Sequence, residues 1–162
     1  MYNGPCAAVL HSAKGRFVST VHMVLGIAVL AANAVAAGWG GLTWLRKRPR
    51  WSIGFWPVLR VAQALVAVQV VLGLLLVARG ASTPDGLHIA YGISLLVISL
   101  VSEGMRAGVA QRELEGVEDI DSLERSEQLA IAHRVALAEV GVMTVGALLI
   151  LTLALRAYQT GG

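Results

Sequence analysis

Charge is scarce in this chain. Of 162 residues only 14% are Asp, Glu, Lys or Arg, against 56% hydrophobic, and the mean hydropathy is +0.69. A soluble domain of this length carries more charge and breaks its apolar runs more often, so the composition implies an integral membrane protein. Cysteine is nearly absent as well: Cys6 stands alone, which excludes an internal disulfide and any multi-cysteine metal site. No basic and apolar stretch of the kind a cleavable signal needs precedes it, so it reads as an ordinary residue near the terminus. Extended polar stretches are confined to the two ends, to residues 46–54 and to residues 103–130, which leaves no room for a separate soluble domain. Also missing are a phosphate-cradling glycine loop, a nucleophile with its base, and a carboxylate pair, which argues against a self-contained hydrolytic enzyme. The net charge of +3 is clustered, a pattern that speaks to membrane topology and not to nucleic acid.

What the chain does have is apolar length. About 20 apolar residues suffice to cross a hydrocarbon core, and the sequence offers four such spans, at about 17–45, 57–77, 84–102 and 131–157. The fold class this predicts is an all-α integral membrane protein, a single up-and-down bundle of four transmembrane helices over residues 1–162. Trp39 and Trp44 end the first span and the basic block Arg46-Lys47-Arg48-Pro49-Arg50 follows, an aromatic belt and then cations. Pro57 is placed as a first-turn residue of the second span. Ser82 or Thr83, followed by Pro84 and Asp85, reads as the cap and first turn of the third. Residues 103–130 hold eight acidic residues with Arg106, Arg112 and Arg125, and read as a solvated, partly helical loop, with Asp121 or Ser122 capping a helix that continues into the fourth span. The acid-free loop with Arg46, Lys47, Arg48, Arg50 and Arg60 belongs on the cytoplasmic side by the positive-inside rule. The 103–130 loop shares that side, and both termini then face outward.

One motif recurs. His22-Met23-Val24-Leu25-Gly26-Ile27 is echoed by His88-Ile89-Ala90-Tyr91-Gly92-Ile93, each a His-x-x-x-Gly-Ile at the start of an apolar run. Residues four apart share a helix face, so each imidazole has a bare glycine one turn along, which leaves room for something flat. The first and third spans run in the same direction and are diagonal neighbours in an up-and-down bundle. Loop charge and the Pro84 cap put both histidines at matching depth near the outer face. Two axial ligands on opposite faces of one porphyrin require that arrangement, so His22 and His88 are expected to ligate one haem b. Gln69-x-x-x-Gly73 on the second span lies at the same level. Gln69 would bond a propionate or a ring nitrogen of a ligating histidine, and Gly26, Gly73 and Gly92 would admit close approach. Arg79 with Lys14 or Arg16 would meet the propionates. His11 and His133 read as amphipathic side chains reaching the headgroups. Gln63 would bond a neighbouring helix, and Glu139 would snorkel or pair with Arg134.

Residues 19–101 resemble one half of haem A synthase, a membrane enzyme built from two four-helix halves. The resemblance is carried by His22 with Gly26, by Gln69-Val70-Val71-Leu72-Gly73, and by His88. It implies a histidine pair near the outer side of one bundle. Ala132-His133-Arg134 looks like that family's His-Arg helix start but lies on the opposite side, so no ligand role passes to it. The family's catalytic half carries a glutamate shortly before its first ligand histidine, whereas residues 18–21 here are Val, Ser, Thr and Val. With half the family's length and no such acid, the chain is expected to hold a single haem, and other small four-helix b-type cytochromes would give much the same sequence signal.

The function this implies is electron transfer or haem handling within a respiratory-type assembly, in a prokaryotic cell membrane, with other membrane subunits as partners. The alternative is a haem-free accessory subunit that stabilises a larger membrane complex. A small transporter ranks last, since it would call for a chain of intramembrane charges and only Arg60 and Glu139 come close.

Overall fold

The computed structural model describes residues 5–80, 86–117 and 119–160, with side chains from Phe17 onward. Four long helices make up nearly all of it: α1 (Pro5–Leu45), α2 (Ser52–Ala78), α3 (Gly86–Glu113) and α4 (Arg125–Thr160). No strand occurs among the described residues. All four are long and apolar enough to cross a membrane. Their outward faces are apolar too, with Val61, Val68, Val71 and Leu74 of α2 and Val145, Leu148 and Leu149 of α4 all exposed. A helix that is hydrophobic all round needs an apolar surrounding on every side.

Helix α4 packs along both α1 and α3, while α2 lies against α1 and touches α3 more lightly. The core has two parts. Ala36, Ala37, Phe55, Leu59, Val140, Met143 and Ala147 fill the half next to the α1–α2 turn. Val29, Val66, Val70, Leu95, Ile150 and Ala154 fill the other half. Close approach depends on small residues: a Cβ on Gly40 would fall inside contact distance of Thr144 Oγ1 and the Phe55 ring, and one on Gly146 would strike Ser102. Buried polar side chains in the middle bond their own helices. Asn33 donates to the Val29 carbonyl at 2.9 Å and Thr144 to the Val140 carbonyl at 2.7 Å, so they leave the central contacts between helices to apolar packing.

Several element boundaries differ from those expected. Helix α1 starts at Pro5, well before residue 17, and α2 starts at Ser52, so Pro57 sits in its second turn and not its first. The predicted cap at Ser82 or Thr83 lies outside the described residues. Most consequential, α3 does not end near 102 but continues to Glu113, while α4 begins at Arg125, a few residues after the cap expected at Asp121 or Ser122 and ahead of the span at 131. The loop predicted over 103–130 shrinks to the segment between these helices, with a one-turn 3-10 helix at Ile120–Ser122. The capping carboxylate there is Asp119, which accepts from the Asp121 amide at 3.0 Å. At the start of α4, Glu127 accepts from the Glu124 amide at 3.3 Å. Arg134 on α4 donates to Glu113 at 3.2 Å, tying the extension of α3 down.

The α1–α2 turn stores a local strain. Arg48 N–H donates to the Thr43 carbonyl and Lys47 N–H to the Trp44 carbonyl, a Schellman ending with Lys47 in the left-handed position at φ 48°. A side chain there costs about 1 kcal/mol relative to glycine. Lys47→Gly is therefore expected to stabilise the protein by roughly 0.5–1 kcal/mol, read as a rise in the thermal midpoint in detergent. An unchanged or lower midpoint would contradict the strain.

Candidate haem site

Both ends of the bundle carry polar contacts between helices. At the end where α3 begins, the contacts are built from the recurrent motif. His22 on α1 and His88 on α3 come together with ring centroids 6.1 Å apart and planes inclined at 62°. Both side chains are half-buried. An imidazole nitrogen binds a transition metal at about 2.0–2.1 Å and lies roughly 1 Å from its ring centre, so two imidazoles trans on one ion have centroids about 6–6.5 Å apart. The observed spacing falls in that interval.

The two rings are held differently. His88 Nδ1 lies 2.8 Å from the Ala157 backbone carbonyl of α4. A carbonyl only accepts, so Nδ1 carries the proton and Nε2 of the neutral ring is left with its lone pair. Metal-bound histidines are usually oriented by just such a bond from the other nitrogen. His22 instead contacts a side chain: its Nε2 lies 3.3 Å from Gln69 Nε2 on α2. In this arrangement His22 Nδ1 and Gln69 Oε1 are both buried without a hydrogen-bond partner. Each such atom costs roughly 1–3 kcal/mol.

The glycines meet the expectation only in part. A Cβ on Gly73 would lie 3.1 Å from His22 Cε1, and one on Gly26 would lie 3.2 Å from Gln69 Nε2. His-x-x-x-Gly of α1 and Gln-x-x-x-Gly of α2 thus interlock, each polar side chain seated over the other helix's glycine. The room expected at Gly26 and Gly73 is filled by His22 and Gln69, because antiparallel helices bring the two motifs into mirror register. Gly92 alone of the three keeps its space, with nothing within 4 Å of the point a Cβ would occupy. Arg79 at the end of α2 is exposed at this same end, and the side chains of Lys14 and Arg16 lie outside those described. His133 is exposed near the start of α4, at the other end of the bundle.

Among the described residues no group of three or more His, Cys, Asp or Glu gathers as a metal site. Two imidazoles alone are a sparse donor set for a bare ion, whereas a porphyrin brings four equatorial nitrogens and asks the protein for axial ligands only. The ring spacing and the His88 tautomer are compatible with axial ligation, whereas His22 Nε2 is engaged by Gln69 and the faces of Gly73 and Gly26 are covered by His22 and Gln69.

The opposite end carries a second cluster, formed because α3 continues past residue 102. Glu103 accepts from Arg60 and from Gln63 Nε2 of α2, the latter at 2.8 Å. Arg106 donates to Glu103 at 2.9 Å and to Glu139 of α4 at 2.8 Å. Both guanidinium groups sit over the Trp56 ring, 5.8 Å and 5.6 Å from its centroid. Glu139 therefore pairs with Arg106 and not with Arg134. Two cations and two carboxylates cancel, so the cluster clamps α2, α3 and α4 without net charge.

Compared with known protein families, curated proteins and solved structures, the chain matches none.

Proposed function

We propose that this protein is a multi-pass membrane protein that holds one haem b between His22 and His88 and serves in electron transfer or haem handling within a respiratory-type assembly. Its partners in this reading are the lipid bilayer and other membrane subunits, in a prokaryotic cell membrane with both termini outside. The observation that carries the reading is the 6.1 Å separation of the two imidazoles, with His88 already held as the Nδ1–H tautomer by the Ala157 carbonyl. Insertion in a bilayer is supported by the four apolar helices and their apolar outer faces. The cations of the α1–α2 turn, which has no acid among them, favour that turn as cytoplasmic.

Bound there, the haem supplies a one-electron couple. The chain's own contribution is orientation and burial. Ala157 fixes the His88 ring, Gln69 supplies the partner for His22, and the apolar layer of Val29, Val70, Leu95 and Ala154 lies toward the bundle interior. Burial of this kind sets the potential by keeping water and countercharge away. The contact of Gln69 with His22 Nε2, with the glycine faces it helps to fill, favours a haem-free accessory subunit, since it closes the site with protein groups alone. Against that stand the two buried atoms it leaves without partners.

A reduced-minus-oxidised absorption spectrum of protein purified after expression with ample haem separates these readings. A b-type band with stoichiometric haem is expected. Its absence would overturn the haem assignment in favour of the accessory subunit.

A further inference from the structure

The α3–α4 hairpin outruns the rest of the bundle. Helix α1 ends at Leu45, and its Trp44 meets α4 at Gly141, where a Cβ would lie 3.0 Å from the indole Nε1. Helix α4 begins at Arg125, and at about 1.5 Å per residue its first turn stands about 24 Å beyond that contact. In this projecting part a cavity of about 340 Å³ opens between the end of α3, the 3-10 turn and α4. It is lined mainly by Leu114, Ile120, Ile131, Val135 and Ala136, with Glu139 at its inner end. The α4 members of this lining continue, in steps of three and four, the stripe Val140, Met143 and Ala147 with which α4 enters the core. The cavity is therefore the seat that α1 leaves by ending at Leu45: α4 keeps an apolar face there for a helix that none of the described helices supplies.

The charge around the cavity identifies its occupant. Between residues 113 and 127 the sequence holds seven acidic residues and one arginine. Glu115, Asp121 and Glu124 are exposed, and no ion pair among those described involves them. An acidic rim is repelled by anionic headgroups, so lipid is not what covers Leu114 and Ile120, which are 36% and 43% exposed. We propose that this groove docks a basic amphipathic helix of a partner protein, with its apolar side chains on Ile131, Val135 and Ala136 and its cations over the acidic rim. From Gln128 to Glu139 the groove follows α4 for about 16 Å, roughly three helical turns, the length over which apolar anchors spaced three and four apart can engage. The inference rests on the bilayer reading of the four helices and is independent of the haem.

The probe is a fluorescein-labelled synthetic peptide about five helical turns long, with leucine on one face and lysine on the others. It is titrated with the full chain in a neutral maltoside detergent and followed by fluorescence anisotropy. Saturable binding of one peptide per chain is expected, and a counterpart with glutamate for lysine should bind about ten-fold more weakly. Ala136→Trp fills the cavity without burying a polar group and should weaken the lysine peptide about ten-fold. Ile120→Lys, on the exposed rim where the fold is not at stake, should act in the same direction. Glu115→Gln with Asp121→Asn and Glu124→Gln should weaken it about three- to ten-fold at low salt and remove most of its salt dependence. Circular dichroism checks that each variant keeps its helicity. No saturable binding to the wild type would overturn the proposal. So would equal affinity of wild type, Ala136→Trp and Ile120→Lys, which would put the peptide on the detergent or on the acidic surface at large. Equal binding of the two peptides would overturn the choice of a basic partner. A chain that stays monodisperse without detergent would refute the bilayer reading instead, and a missing b-type band touches only the haem.

Discussion

If the proposed haem is held between His22 and His88, changing His88 to alanine is expected to abolish its retention, whereas changing His22 to alanine should leave a haem that has become high-spin. The asymmetry follows from what holds each ring. His88 is pre-oriented by a 2.8 Å bond to the Ala157 carbonyl, so in His22→Ala the remaining ligand keeps its tautomer and direction. In His88→Ala the remaining ligand is His22, whose Nε2 is already engaged by Gln69 at 3.3 Å, and binding must break that contact with no second axial bond to compensate. The measurement is haem stoichiometry together with the oxidised spectrum of each variant, normalised to folded protein by circular dichroism. His133→Ala is the control. Its side chain is exposed at the far end of the bundle, and the low-spin band should survive intact. A low-spin spectrum persisting in His88→Ala would refute the ligand assignment even with haem present.

The histidine end is legible in the sequence because its signal is local. Two copies of one i,i+4 pattern can be found by eye, and helical periodicity with loop charge sets their relative depth before any packing is known. The partner of each ring is less legible. Gln69 stands out because its own Gln-x-x-x-Gly spacing matches, but Ala157 contributes a backbone carbonyl, which no side-chain pattern announces. The interlock of Gly26 and Gly73 with the opposing polar side chains is also hidden, since a glycine's neighbour depends on the rotation of two helices about their axes.

The other end shows the opposite case. In the sequence Glu103 and Arg106 look like the start of a solvated loop, because charge ends an apolar run in one dimension. In three dimensions each finds a counter-charge on another helix, Arg60 on α2 and Glu139 on α4, so the helix continues for two more turns beyond them. Paired charges are tolerated where single ones are not. The Arg134–Glu113 pair then holds the extension against α4, a pairing out of reach while Glu113 is read as part of a loop.

That clamp predicts a large loss of stability in Arg106→Leu. Arg106 is the only residue touching both Glu103 and Glu139 among the ion pairs described, so its removal leaves Glu103 with Arg60 and Gln63 and strands the Glu139 carboxylate, whose side chain is only 17% exposed. Stranding one member of such a pair costs about 3–5 kcal/mol when burial is complete. Partial exposure of Arg106 reduces this to roughly 2–4 kcal/mol. Stacking on Trp56 adds to the loss, because leucine keeps the bulk but not the cation over the ring. The quantity to measure is the shift in the chemical or thermal midpoint in detergent, followed by circular dichroism. Two comparisons make the result specific. Arg134→Leu breaks the exposed Glu113 pair and should cost no more than about 1 kcal/mol. Arg106→Leu combined with Glu139→Gln should recover part of the loss, since the stranded charge is gone while the hydrogen-bonding shape remains. If Arg106→Leu shifts the midpoint no further than Arg134→Leu, the four charges are a surface ornament of the helices and not the clamp that holds α2, α3 and α4 in register.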